Sequence, residues 1–98
     1  MSDPSTETLS IRGLPEWLIR EYFEELGAAP DPASAARVDG EATRMAAAGW
    51  AVTWSSQRIA LPGGTLSLTQ FDLVFDGDER AVAAASEAFL KKAQRGGG

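Results

Sequence analysis

The sequence contains neither cysteine nor histidine. Their absence excludes thiol nucleophiles, disulfides, the usual ligand set of zinc sites and imidazole acid–base chemistry, on which most small enzymes depend. Long apolar runs are also missing, since no segment approaches the ~20 residues that a membrane helix needs. Residues 1–7 have neither the basic nor the apolar part of a signal peptide. We therefore expect a cytoplasmic protein that is neither an enzyme nor bound to a membrane.

Basic side chains are scarce, with 9 against 14 acidic ones and a net charge of -5. This charge repels nucleic acid phosphates, so the expected partner is another protein. The 98 residues suffice for one small core, and 44% hydrophobic and 23% charged residues are typical of a globular domain. We predict a flexible tail over residues 1–7, one domain over 8–95 and a glycine tail over 96–98. No cofactor and no oligomeric state can be derived from these residues.

Periodicity predicts a strand and a helix in the first third of the chain. Apolar and polar residues alternate over residues 8–12, which is typical of a strand. Helical spacing follows from Pro15 to Leu26, and Gly27 is the expected left-handed C-cap. The following residues predict a loop over 28–34, a short strand over 36–39 and a turn at Gly40. The alanines of 41–48 favour a helix, but the position of this segment between strands favours a strand, which we predict.

The next segment predicts a β-hairpin. Trp50 and Trp54 share one face of a half-buried strand that continues through residues 57–61, and residues 62–64 form a turn. Apolar residues of the following strand occupy even positions up to Leu68 and odd positions from Phe71. A β-bulge at residues 69–70 would keep both sets on one face, so we predict one there.

A final helix begins after its predicted N-cap, Asp78, and ends at the terminal glycines. The resulting order is strand, helix, three or four antiparallel strands, then helix. This order predicts an α+β fold in which two helices pack on one face of a curved antiparallel sheet.

Large aromatic side chains are the first candidates for a binding site. Trp50 and Trp54 could form a stacking platform, or line a small-ligand cavity between sheet and helices with Phe71 and Phe89. The favoured interpretation is a core in which Trp50 and Phe89 pack together or on shared neighbours. Trp17 lies beside the apolar stripe of the first helix and is a candidate partner contact.

Acidic residues are the candidates for a cation site. Asp39 with Glu41, or Asp72 with Asp76 and Asp78, could offer oxygen ligands to a hard cation. Their spacing does not match a calcium loop, and turn formation, capping and solubility explain them better. We therefore predict no metal site and no catalytic residue.

The chain ends in Gly97 and Gly98. Ubiquitin-like sulfur carriers end in this pair because the activating enzyme must thread an unhindered tail to adenylate the terminal carboxylate. Such carriers begin with a β-hairpin and reach the tail from a strand, whereas a helix precedes the tail here. A helix-stopping glycine run is the favoured interpretation, and a carrier tail is the alternative.

Several segments together resemble a known family: residues 9–15 (LSIRGLP), 21–27 (EYFEELG), 49–50 (GW), 71–77 (FDLVFDG) and 89–92 (FLKK), followed by the glycine tail. This pattern resembles the small C-terminal domain attached to MoaD-related proteins, bacterial chains whose N-terminal half is a molybdopterin-synthase-type sulfur carrier. The resemblance covers about residues 7–96, implies a TBP-like strand-helix-strands-helix arrangement, and carries over no catalytic residue. The sulfur-carrier half is absent from this sequence.

These observations predict a non-catalytic accessory or protein-interaction domain near molybdenum-cofactor or sulfur-transfer chemistry. One alternative is a carrier activated at Gly98. The other is a ligand-binding domain with the aromatic cavity described above.

Overall fold

A computed structural model describes residues 3–31 and 42–96. The elements follow in the order β1 (Pro4–Arg12), α1 (Glu16–Glu25), β2 (Ala29–Pro30), β3 (Ala42–Ala47), β4 (Trp50–Ala60), β5 (Ser67–Asp78) and α2 (Glu79–Gly96). The strands form one antiparallel sheet in the order β1-β5-β4-β3-β2. Both helices contribute to one core on a single face of this sheet. The predicted α+β class is confirmed, and the TBP-like detail stays a prediction.

Strand β1 begins at Pro4, inside the segment that the sequence assigns to a flexible tail. Its ladder to β5 runs without interruption from Pro4 opposite Asp78 to Arg12 opposite Gln70. The sequence pattern misses the first residues because Glu7, a charged residue, lies on the helix side of the strand. There its carboxylate accepts a hydrogen bond of 2.8 Å from the Ser86 hydroxyl of α2. The tail prediction is therefore wrong for residues 4–7.

Helix α1 has the predicted boundaries. Gly27 has a φ of +96°, and its N–H donates to the Glu24 carbonyl while the Ala28 N–H donates to the Phe23 carbonyl. These two bonds form a Schellman motif, which requires the left-handed conformation that glycine adopts at little cost. The motif turns the chain back towards β2.

Strand β3 confirms the strand prediction for residues 41–48 over Ala42–Ala47. Its ladder to β4, from Ala42 opposite Ser55 to Ala47 opposite Trp50, outweighs the helix propensity of its alanines. The predicted loop over 28–34 contains the two-residue strand β2, which pairs with β3. The predicted strand at 36–39 and the turn at Gly40 lie outside the described residues.

The β4–β5 hairpin contains no bulge, so that prediction is wrong. One register holds from Trp50 opposite Gly77 to Ala60 opposite Ser67. The apolar pattern changes phase in both strands together, so Ile59 lies opposite Leu68 and no extra residue is required. As a result, the apolar side chains near the core, such as Trp54 and Leu73, face the helices. Those near the turn of the hairpin, such as Ile59 and Leu68, lie on the opposite, outer face of the sheet.

Helix α2 begins with the predicted cap, since the Asp78 carboxylate accepts the Ala81 N–H at 3.2 Å. Just before it, Gly77 passes so close to the Gly49–Trp50 backbone that a Cβ would collide with the Gly49 carbonyl oxygen and lie 2.8 Å from the Trp50 Cα. This contact fixes the start of α2 against the β3–β4 turn.

Candidate functional site

Three of the predicted aromatic residues, Trp50, Trp54 and Phe89, lie in the core and contact Phe23 of α1. The Phe23 ring stacks on Phe89 at a centroid distance of 4.6 Å and on Trp54 at 5.5 Å. It also contacts Trp50 at 6.0 Å and Phe75 at 5.8 Å. The prediction that Trp50 and Phe89 share neighbours is confirmed. Sequence analysis did not single out Phe23, whose helical spacing places it in the core without revealing its central position.

The four side chains proposed to line a ligand cavity belong to the hydrophobic core, and the ligand-binding role stays a prediction. Trp54, Phe71 and Phe89 are buried, with exposed fractions of 1%, 5% and 0%. The Trp54 indole N–H donates to the Glu16 carboxylate at 3.2 Å, and the Arg20 guanidinium lies 5.8 Å from its ring centre. Because the indole face and its donor are both occupied, Trp54 does not offer a stacking platform.

Trp17 is in a different environment. Its exposed fraction is 65%, and it lies on the outer side of α1 with Glu21 and Glu24, four and seven residues further on. Residues at this spacing share one helix face, and both glutamates are exposed. The role of Trp17 as a partner contact stays a prediction, which this exposure permits.

The outer face of the sheet carries a charged network that sequence analysis did not find. Arg44 of β3 donates to Asp31 at 3.0 Å, to Asp76 at 3.0 and 3.2 Å, and to Thr53 at 2.9 Å. The hydrogen bond to Asp76 is the largest cause of the raised pKa of Arg44, and partial burial opposes it. The only sequence signal is a lone arginine within a run of small residues. The network joins β3, β4 and β5 to Asp31, the residue that follows β2.

Asp72 is the centre of a second polar cluster on the same face. Its carboxylate accepts hydrogen bonds from Gln70 at 2.8 Å, Ser10 at 2.9 Å and Gln57 at 2.9 Å. These bonds, with that from Gln70 foremost, lower the pKa of Asp72. Because the donors favour the ionised form, Asp72 is a weak base at neutral pH.

These contacts account for the acids proposed as cation ligands. Asp76 binds Arg44, Asp72 binds neutral donors, and Asp78 caps α2. Within residues 3–31 and 42–96, no group of three or more acidic side chains has a geometry suited to a metal ion. Asp39 and Glu41 lie outside these ranges.

One surface cavity lies where the β1–α1 junction meets the C-terminal end of α2. Its volume is about 230 Å³ and its lining is largely apolar, with Ile11 and Leu14 facing Leu90 and Ala93. Leu14 precedes α1, so the start of α1 and the end of α2 are at the same end of the molecule. The predicted carrier residues Gly97 and Gly98 follow α2 but lie outside the described residues.

A second cavity, of about 340 Å³, opens between Leu26 of α1, the β3–β4 turn and the alanine-rich side of α2. Trp50 is the one predicted site residue in its lining. In the part of the chain that the structure describes, no helix is long and apolar enough to span a membrane.

Within the described residues, a five-stranded antiparallel sheet covered on one face by two helices defines a two-layer α+β protein. The family model for the archaeal MoaD-like protein matches residues 7–98. The match spans nearly the whole chain, so this protein belongs to the archaeal MoaD-like family. The predicted relationship to MoaD-related proteins is thereby confirmed, and the finer assignment to their C-terminal domain stays a prediction. No curated protein matches the sequence.

Proposed function

We propose that the protein is a non-catalytic interaction module that acts in molybdenum-cofactor or sulfur-transfer chemistry. Family membership over residues 7–98 supports the pathway. The arrangement of ionisable groups supports the absence of catalysis, because the polar clusters of the described residues are closed by their own hydrogen bonds.

The observation that carries the non-catalytic part of this proposal is the geometry of the two polar clusters, in which neighbouring side chains bind Arg44 and Asp72, and the direction of both pKa shifts agrees with it. A general acid or base works best when its pKa is moved towards the working pH. The shifts here go the other way, since the pKa of Asp72 is lowered and that of Arg44 is raised. Both groups keep their charge at neutral pH and stabilise the sheet, as expected of a structural scaffold.

The pathway is tested by deleting the gene in its native host and measuring cellular molybdopterin. We expect the molybdopterin content to fall and to return when the full-length protein is restored. An unchanged content after deletion would contradict the proposed pathway. A variant lacking Gly97 and Gly98 should restore molybdopterin equally well if the protein acts through its folded surface.

A sulfur carrier is the second candidate function. The specific observation in its favour is that the family match continues beyond the end of α2 at Gly96 and includes Gly97 and Gly98. In a carrier, a partner enzyme adenylates the Gly98 carboxylate with ATP and releases pyrophosphate, and a sulfide-level sulfur donor then displaces AMP to give the thiocarboxylate.

Intact-mass spectrometry of the protein from its native host separates the two functions. A carrier gives a thiocarboxylate that is about 16 Da heavier, because the activated acyl group exchanges oxygen for sulfur. In that case the variant without Gly97 and Gly98 would also fail to restore molybdopterin. An unmodified terminus, together with full restoration, supports the interaction module.

A further inference from the structure

The end of the β4–β5 hairpin extends beyond the rest of the sheet. Strand β3 pairs with β4 only as far as Ser55, and β1 pairs with β5 only from Gln70 onwards. The residues between, 56–69, form a two-stranded ribbon that no other described strand flanks. We call this part the distal ribbon, and none of its residues is buried.

The outer face of the distal ribbon is apolar. Ile59 lies directly opposite Leu68, and the Leu61 N–H donates to the Leu66 carbonyl at 2.9 Å, which continues the same register by one pair. Side chains two residues apart on a strand share a face, so the four side chains form one patch. The exposed fraction of Leu66 is 69%, higher than that of Trp17.

Such a ribbon needs support. A two-stranded hairpin is at best marginally stable in water, and it is stabilised when its apolar face is covered. No described residue covers this face, because both helices lie on the opposite side of the sheet. A second surface that covers this face would therefore stabilise the ribbon, and the same apolar patch on a second copy of the chain is such a surface.

Charge favours a second copy at this place. The chain has a net charge of -5, so two copies repel each other over most of their surface. Residues 56–71 contain no acid, and their one charge is that of Arg58. The distal ribbon is thus a place where two copies can meet without opposing carboxylates of its own.

We propose that two copies of the chain associate through the outer apolar faces of their distal ribbons. The two opposed pairs, Ile59 with Leu68 and Leu61 with Leu66, form a patch that stacks on its own copy about a two-fold axis. The patch has four side chains per copy, against about 20–30 residues a side in a standard interface. The dimer is consequently weak and forms in a concentration-dependent manner. This inference does not depend on the proposed function.

Sedimentation equilibrium of the full chain, from about 10 µM to 1 mM, tests this proposal, since this range brackets weak association. The wild-type mass should rise with concentration from 10.4 kDa towards twice that value. Leu66→Glu should weaken association about tenfold or more, as expected for a charge placed in an interface centre. Leu66→Gln, which adds no charge, should weaken it less but in the same direction.

Leu90→Glu is the matched control, because it replaces another exposed apolar side chain with the same acid on α2. It should leave the association constant close to the wild-type value. A wild-type mass that stays at 10.4 kDa up to the highest concentration overturns the proposal. Equal weakening by Leu66→Glu and Leu90→Glu also overturns it, because net charge alone would then explain the effect. Circular dichroism verifies that each variant is folded.

Discussion

The ring of Phe23 lies nearly parallel to that of Phe89, with their planes 11° apart and their centroids separated by 4.6 Å. Phe23 belongs to α1 and Phe89 to α2, and each has an exposed fraction of 0%. Phe75 of the sheet contacts both rings, at 5.8 and 6.4 Å. This triad joins the two helices to each other and to the sheet, so its members should dominate the stability of the domain.

Phe89→Ala should lower the free energy of unfolding by roughly 3 to 5 kcal/mol, because it leaves a cavity between three aromatic neighbours. This is a large share of the stability of a small domain. Urea unfolding measures the loss. Leu90→Ala, at the next and partly exposed position, should cost clearly less, and a loss below about 1 kcal/mol for Phe89→Ala would mean that α2 packs by another face.

Gly77→Ala should destabilise the protein by roughly 2 to 4 kcal/mol, since the added Cβ collides with the Gly49–Trp50 backbone at a left-handed φ. Gly63→Ala is the matched control. Gly63 also has a positive φ, +102°, but a Cβ there would meet nothing within 4 Å. Thermal unfolding of both variants separates the steric contact from the backbone strain. Equal losses in the two variants would show that the close approach at Gly77 contributes nothing.

Stability should fall in acid partly because of Asp72. The pKa of Asp72 in the folded state lies below its ordinary value of 3.8, so the ionised form stabilises the fold. That contribution is present above the unfolded-state pKa and is lost as the pH falls through the lower, folded-state pKa. Asp72→Asn should therefore reduce stability at pH 6 and differ less from the wild type near pH 2.

Urea unfolding at both pH values measures this difference. Glu87→Gln, which removes a carboxylate from an exposed ion pair with Lys91, is the control for a general change in charge. A gap between wild type and Asp72→Asn that is as wide near pH 2 as at pH 6 would show that the carboxylate charge is not responsible.

Nucleic acid binding should be negligible at physiological salt. The basic cluster near the C-terminus is the only candidate footprint in the sequence, and Lys91 and Lys92 pair with Glu87 and Glu25 at 3.5 and 2.7 Å. Cations engaged in this way have less charge to offer to phosphates. Fluorescence anisotropy with labelled DNA and RNA is the measurement, and micromolar, salt-sensitive binding would contradict this prediction.

The sequence alone determined the helices and their ends, because these depend on interactions between residues a few positions apart. The helical spacing that buries Ile19 and Phe23, the left-handed Gly27 and the cap at Asp78 all act within a few residues, and the structure has each of them where the sequence places it. The α+β class follows from the same signals, because two amphipathic helices and several alternating strands must share one apolar face.

Long-range contacts decided the remaining features. Strand β1 starts at Pro4 because its backbone pairs with β5 some 70 residues later. Arg44 of β3 gains its acidic partners, Asp31 and Asp76, only when the chain after β2 and strand β5 pack near it in the folded sheet. The phase change near Leu68 has the same origin. The sequence of β5 alone is compatible with either a bulge or a continuous ladder. The apolar pattern of β4 changes phase at the same level of the sheet, and this match favours the continuous ladder. Periodicity reports which residues share a face, whereas partner and register depend on energies summed across the whole sheet.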